Sequence, residues 1–404
     1  MRLILASPFV PHSGATHGGA IYLFALASAL ARHCELHLVS FATGSERSAV
    51  LQLPDGLAGV ALVPRAERFE SAPLRRVAGT LSNAARWVGT GLPLLVLKFR
   101  SRAMRTALSV AVRDSRPDAV LLEMALMAQY AEDLCNTATV LTDHEAATPT
   151  PARLLPFGLG RARDRAAWER YVRAAYAVPT AVQALNEDDA AALSARLGRP
   201  VAVRRPIVPI PARVAQPARA GERLLFLGDW SHHPNPEAAE FLVRKVLPLV
   251  RARVPGARLV LAGPRATPAV EALGTTAGVE FVGFVPALDE LMGSVRALVA
   301  PLLSGDGSRI KVLTALAHGV PVVGNARALR GVDAGPPAVR RGEDPGALAE
   351  ACVELLRDAG AAAAAGAAAR SWAESKLSAD AVALEQIEFV RRITATAGKR
   401  SVRP

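Results

Sequence analysis

The sequence predicts two tandem α/β domains, each a doubly wound parallel sheet covered by helices on both faces. Three observations carry this. Short unbroken apolar runs alternate with helix-length amphipathic segments, which is the pattern of strands buried on both faces. The alternation stops across residues 201–223 and then restarts. The chain has 404 residues, and at roughly 100–200 residues per domain that length fits two or three units.

Taken in order, residues 3–8 (LILASP) read as an opening strand rather than a signal peptide, because the apolar run is short and is broken at Pro8 and Pro11. A Gly/His-containing loop leads to IYLFALASALARH, an amphipathic helix over residues 21–33. Strands follow at residues 36–41 (LHLVSF), 119–124 (AVLLEM) and 137–143 (TATVLTD). The stretch VAVRRPIVPIPARVAQPARAGE carries four prolines and no helical period, so it reads as a hinge. Beyond it come strands at 223–229, 258–264, 279–285, 297–303 and 319–325, with a helix through PEAAEFLVRKVLPLVRARV. The run AGAAAAAGAAA at 359–369 is helix-prone and reads as a solvated helix or the end of one. A last helix over about 379–393 places apolar residues at Val382, Leu384, Ile387, Phe389 and Val390. The expected boundaries are 1–205 for the N-terminal domain, 206–222 for the linker and 223–378 for the C-terminal domain. Residues 379–404 form a terminal helix that could pack back on the N-terminal domain.

Composition narrows the function classes. Half the residues are apolar, which excludes wholesale disorder. No stretch of roughly 20 residues is apolar and uncharged, as a spanning helix would require. Cys34, Cys135 and Cys352 are far apart and odd in number, giving neither a disulfide framework nor a metal knuckle. A soluble chain in the cytoplasm is expected. Lys plus Arg total 48 against 36 Asp plus Glu, a formal charge of +12. Nearly all the positive charge is Arg in an Ala-rich chain, which fits either a coding bias or attraction to an anionic partner. Aromatics are too sparse among the Arg residues for a stacking platform, so nucleic acid is the least favoured partner.

The sharpest feature is ALVAPLLSGDGSRIKVLTALAHGVPVVGN, residues 297–325. A buried strand runs into a Ser/Gly/Asp loop, and a helix is expected from near Ser308 to Gly319, with Pro321 beyond. Ser308 suits an N-cap, Gly305 and Gly307 allow close approach of a ligand, and Arg309 and Lys311 add charge where a diphosphate would sit. The loop falls at the carboxyl end of a parallel strand, where ligands of such sheets bind. The same residues would also fit a plain surface loop before a capped helix.

This segment resembles the donor-site signature of GT-B glycosyltransferases, specifically the large retaining family 4 (glycosyl transferases group 1). Members read G-x-G-x-R-x-K-V-L-E-A-x-A-x-G-x-P-V-V, and Gly305, Gly307, Arg309, Lys311, Val312, Leu313, Ala315, Ala317, Gly319, Pro321, Val322 and Val323 match. FLGDWSHHPNPEAAEFLVRKVLPLV, ARLVLAGP and VEFVGFVPALDELM are similar to the strand–loop units upstream, and SPFVPHSGATHGGA is similar to the family's opening Gly-Gly loop. The resemblance implies two Rossmann-like domains facing a central cleft. It implies donor binding by Gly228, Gly263, Gly283, Phe284, Ser304, Gly305, Gly307, Ser308 and Thr314, and a catalytic set of His144, Arg309, Lys311 and Asp306. Gly18, Gly19 and Glu145 would serve as an acceptor or phosphate loop.

Within VLTDHEAATPT, His144 matches the family's strand-end His, which faces the donor sugar. The bare residues fit equally a capping Asp beside an exposed His, and Glu123 is a further cleft candidate. The sequence departs from the pattern in three places. Thr314 stands where the second Glu of a Glu-x7-Glu pair contacts ribose, and Asp306 replaces the first. Asp229, Trp230, Ser231, His232 and His233 replace a basic pair, and RRPIVPIP replaces the usual pre-linker motif.

A retaining transferase of this kind needs no protein nucleophile and no bound metal, because cations and helix dipoles stabilise the departing diphosphate. No cofactor is expected beyond the nucleotide-sugar co-substrate, and no metal; His232–His233 lacks a third ligand. The expected activity moves a hexose from a nucleotide sugar to a saccharide or lipid-linked acceptor, in cell-envelope polysaccharide or glycoconjugate synthesis. The alternative is a transferase-like protein weakened at Thr314 that binds a glycan or a partner. The basic segment 72–107 fits a peripheral contact with an anionic membrane at its inner face. It fits slightly better two core-packed helices with solvated Arg.

Overall fold

The computed structural model describes residues 1–14, 18–47, 52–65, 87, 89–144, 158–304 and 309–400. Thirteen strands form two sheets among these residues. The first sheet contains β1 (Arg2–Ser7), β2 (Glu35–Ala42), β3 (Gly59–Pro64), β4 (Ala119–Glu123), β5 (Ala138–Asp143), β6 (Ala181–Ala184) and β7 (Ala202–Val203) in the order β3-β2-β1-β4-β5-β6-β7. The second contains β8 (Arg223–Leu227), β9 (Arg258–Ala262), β10 (Val279–Gly283), β11 (Ala297–Ala300), β12 (Val322–Gly324) and β13 (Val339–Arg341) in the order β10-β9-β8-β11-β12-β13. All neighbouring strands are parallel. The two expected doubly wound domains are present.

The strands form where continuous apolar runs can be buried on both faces. Leu3, Ile4 and Leu5 of β1 are fully buried, with Ile4 in the core of one face and Leu3 and Leu5 in that of the other. Strand order reverses between β1 and β4 and again between β8 and β11. Those reversals open a crevice at the carboxyl ends of each sheet.

The helices used below are α1 (Gly18–His33), α2 (Arg102–Ser115), α3 (Gly158–Ala175), α4 (Glu187–Leu197), α5 (Pro234–Phe241), α6 (Leu247–Arg253), α7 (Ile310–Ala317), α8 (Pro345–Arg357), α9 (Ala359–Lys376) and α10 (Ala379–Arg400). Helix α10 lies on the first domain: Val382, Ala383, Ile387 and Val390 join the apolar cluster of α1. Arg32 of α1 donates to Asp380 at 2.7 Å.

Three details differ from expectation, while the described part of the basic segment fits the core-packed reading. The alanine-rich run is not simply solvated. It forms α9, which buries Ala362, Ala365, Gly366, Ala369 and Ala373. A Cβ on Gly366 would lie 2.7 Å from the Gly319 carbonyl oxygen, so small residues here set the distance between α9 and the end of α7. The proline-rich stretch is not a free linker. Arg204, Ile207 and Val208 are buried, Ile207 with the first domain and Val208 with Leu313, Ala317, Ala373 and Leu377. Helix α7 starts at Ile310 with Arg309 at its cap position and no side-chain cap, because a guanidinium has no acceptor for a backbone N–H; its Nε donates instead to the Arg327 carbonyl, and Ser308 lies outside the described residues. Of the basic segment, residues 72–86 and 88 lie outside the described residues. Its described apolar side chains Val96, Leu97, Phe99 and Met104 are buried in the first domain, while Lys98, Arg100 and Arg102 are exposed. No helix among the described residues is long and apolar enough to cross a membrane.

Candidate active site

The carboxyl ends of the two sheets face each other across a cavity of about 1080 Å³. From the first domain it is lined by Phe9, Gly19, Met124, Asp143 and His144. From the second come the loop ends Gly228–Asp229, Gly263–Arg265 and Phe284–Pro286, with Ser304, Arg309, Lys311, Thr314 and His318. A larger hollow of about 1560 Å³ lies between β6–β7 and α10. Two ion pairs line it, Arg205 with Glu385 and Lys376 with Asp333, and it holds none of the expected site residues.

Helix α7 presents Lys311 and Thr314 to the cavity because residues three apart share a helix face; Val312 and Leu313 turn into the core. Lys311 donates from Nζ to Asn235 Oδ1 of α5, and its ammonium sits 4.4 Å from the centroid of the Phe226 ring. Burial, reinforced by the like charge of Arg309 and opposed by Asp229, pushes its pKa down to about 7. Arg309 lines the cavity as well, yet its Nε donates to the Arg327 carbonyl at 2.8 Å. Lys311 therefore has an ammonium in the cavity, whereas the Arg309 guanidinium also anchors the loop.

Two of the cleft glycines, Gly263 and Gly283, are dictated by backbone geometry. Gly263 has φ +145°, and a Cβ there would stand 1.7 Å from the Gly228 carbonyl oxygen, so the ends of β8 and β9 come together only without a side chain. Trp230 stitches the same loops, donating from Nε1 to the Gly263 carbonyl at 2.9 Å. On the first domain, a Cβ on Gly19 would meet Met124 Cε at 2.7 Å. Phe284 is 55 % exposed at the cavity edge, leaving a flat apolar face. Gly283 adopts φ +63° just before it, and Gly18 opens α1. Gly305, Asp306, Gly307 and Glu145 lie outside the described residues.

His144 is buried at the end of β5, with Nε2 2.9 Å from Glu123 Oε2. Glu123 in turn receives both terminal nitrogens of Arg204, at 2.8 and 2.7 Å. Burial pushes the Glu123 carboxyl up, but the Arg204 fork with His144 beside it outweighs burial and holds the pKa down at about 2. Asp143, buried in the cavity wall beside His144, accepts from the hydroxyl of Tyr176.

Residues 221–358 match the family model described as glycosyl transferases group 1. Over the whole chain, a sucrose-phosphate synthase from Thermosynechococcus elongatus superimposes with TM-score 0.66 at 16 % identity, covering 98 % of this chain and 100 % of that one. HepE from Anabaena in complex with UDP gives 0.64 at 13 % identity, with 97 % and 100 % covered. The fold is GT-B. A glycosyltransferase from Rickettsia africae gives 0.62 at 11 % identity, with 97 % and 98 % covered. No curated protein matches this sequence. In this GT-B chain the family match spans the domain that carries Lys311, Thr314, Gly228, Gly263 and Phe284.

The structure adds three residues to the GT-B cleft, and a fourth behind it, that the sequence did not single out as site residues. Arg265 follows Pro264 with φ +61°, lines the cavity and forks onto Asp229. The loop after β8 carries no Lys or Arg of its own, but Arg265 brings a cation to Asp229 from the end of β9. Its signal was only an Arg after a strand-ending Gly-Pro. Asn235 holds Lys311, and His318 lies 2.9 Å from Asp289 and lines the cavity. Arg204, inside the proline-rich stretch, stands behind the cleft against Glu123. Among the described residues no group of three or more His, Cys, Asp or Glu is placed to hold a metal ion.

Proposed function

We propose that this protein is a retaining glycosyltransferase that moves a hexose from a nucleotide sugar to a saccharide or glycolipid acceptor, without a metal ion or cofactor, in the cytoplasm. Cell-envelope polysaccharide or glycoconjugate synthesis is the setting that fits such an acceptor. The observation that carries this reading is Lys311 on the cavity face of α7, opposite His144 on the end of β5 across one cavity. An ammonium beside the first turn of a helix favours a diphosphate as it departs with the bonding electrons of the anomeric C–O bond. Arg265 and Arg309 add positive charge within the same cavity. Phe284 offers its exposed face to a nucleobase, and Thr314 one hydrogen bond to ribose. His144 would meet the sugar. HepE is known bound to UDP-glucose, which is the donor class proposed here. Peripheral contact with an anionic membrane through residues 72–107 would bring a lipid-linked acceptor to the cleft.

The experiment is a thermal-shift panel of UDP, GDP, ADP and dTDP with their common sugars, on the wild type and on Arg309→Ala plus Lys311→Ala. The expected result is a rise with one nucleotide that disappears in the double variant. A second reading, a transferase-like protein without turnover that binds a glycan or partner, is favoured by Thr314 and by the Asp229 carboxylate lying where a cation is usual. A flat panel, together with no sugar transfer, would select it.

A further inference from the structure

Four side chains from four elements converge behind the cleft. Glu123 ends β4 and is fully buried, His144 follows β5, Arg204 follows β7, and Tyr22 lies on α1. The Tyr22 ring stands edge-on to His144 with centroids 5.0 Å apart, and the Arg204 guanidinium lies 5.5 Å from the same ring. Met124, directly after Glu123, takes φ +70°, a strained angle for a residue with a side chain. Its amide donates to the Thr142 carbonyl at 2.9 Å, so the turn is pinned to the strand that leads to His144.

We infer that Arg204 and Glu123 are positioning residues that fix His144 as its neutral Nε2–H tautomer, so that the ring atom left for a ligand is Nδ1, an acceptor. An ionised carboxylate only accepts, so the imidazole nitrogen 2.9 Å from Glu123 has to donate. The charge of Glu123 is already balanced by the two-pronged Arg204 contact, and no charged imidazole is needed to neutralise it. A neutral ring with its proton on Nε2 has a bare lone pair on Nδ1, and no hydrogen bond to Nδ1 is formed among the described residues. Given the transferase reading above, Nδ1 accepts a hydrogen bond from a hydroxyl of the bound sugar. Arg204 also lies two residues before Pro206, where the chain leaves the first sheet for the second domain. The same side chain thus sets the tautomer and ties down the start of the crossing strap.

The test is a long-range ¹H–¹⁵N spectrum of the full-length protein with ¹⁵N-labelled histidine, with His144→Gln to assign the signal. At neutral pH the His144 signal is expected in the Nε2–H pattern. A proton on Nδ1, or on both nitrogens, overturns the inference, and this reading needs no folded variant. Arg204→Lys, which keeps a cation, is expected to retain the pattern. Arg204→Met is expected to shift it toward a mixture. Adding the nucleotide sugar found in the thermal panel should move Nδ1, and adding the bare nucleotide should not. A bound sugar that leaves Nδ1 unmoved refutes the sugar contact. If no nucleotide sugar binds at all, the transferase reading fails, while the tautomer still decides the positioning role.

Discussion

Lys311 is a cation held at the edge of losing its charge. Its pKa is pushed down to about 7 by burial and by Arg309, so above neutral pH the free protein carries it largely uncharged. A diphosphate placed beside it favours the charged form, so nucleotide binding at pH 8 should take up a proton. Calorimetry in two buffers of different ionisation enthalpy is expected to show uptake approaching one proton. Lys311→Met should abolish it and weaken binding at pH 6.5 more than at pH 8.5. The sign is fixed: affinity falls as pH rises through about 7. Glu123 runs the other way. Its carboxyl is held at about 2 against a usual 4.5, so its ion pair contributes stability above pH 4.5 that is lost as pH falls toward 2. Arg204→Met would leave that carboxylate buried without its cation, a cost of about 3–5 kcal/mol. The loss should be largest at neutral pH and smaller at pH 4, where the orphaned carboxyl can take a proton; denaturant melts at the two pH values measure this.

At the level of elements, the close contact of the β8 and β9 ends is what gives the donor side its shape. Gly263→Ala would force a Cβ against the Gly228 carbonyl oxygen at a backbone angle side chains avoid. It should cost about 2 kcal/mol or more and also weaken nucleotide binding, since the loop carrying Arg265 must shift. A substitution with unchanged nucleotide affinity would show that this loop does not shape the site. The strands themselves were legible because parallel strands buried on both faces leave unbroken apolar runs, and the loop before α7 because Gly, Arg and Lys recur at motif spacing. Other features left no such trace. Glu123 and Arg204 are 81 positions apart, and their pairing depends on β4 and β7 meeting the same crevice, which no local pattern reports. Arg265 reaches Asp229 across 36 positions for the same reason. In the sequence, helix α9 reads as a solvated helix or the end of one because alanine suits both an exposed helix and a tight helix contact. Only the approach of Gly319 and Pro217 to Gly366 distinguishes them.

At the scale of the molecule, the two domains are joined on one side of the cleft by a polar latch as well as by the strap. Arg330, after β12, forms an ion pair with Asp189 of α4 at 2.9 Å and lies 3.8 Å from Asp188. Beside it Gly331, at φ +71°, lies so near Asn186 that a Cβ would come within 2.5 Å of the Asn186 Cβ. Asp189 is nearly buried and also accepts from Asn186 at 2.8 Å; burial raises its pKa, while Asn186 and Arg330 pull the other way. Burial is the larger influence, so the two partners should not be equivalent on removal. Asp189→Asn keeps an acceptor for Asn186 and drops the buried charge, so at neutral pH it should change stability by less than about 1 kcal/mol. Arg330→Met leaves the carboxylate facing the first domain alone and should cost about 1–3 kcal/mol. The double variant should fall close to Asp189→Asn, giving a coupling energy of about 1 kcal/mol or more in a thermal-unfolding cycle. If the two single losses simply add, the domains are held together by the strap and the apolar contacts alone. The cleft would then be free to open without breaking this pair.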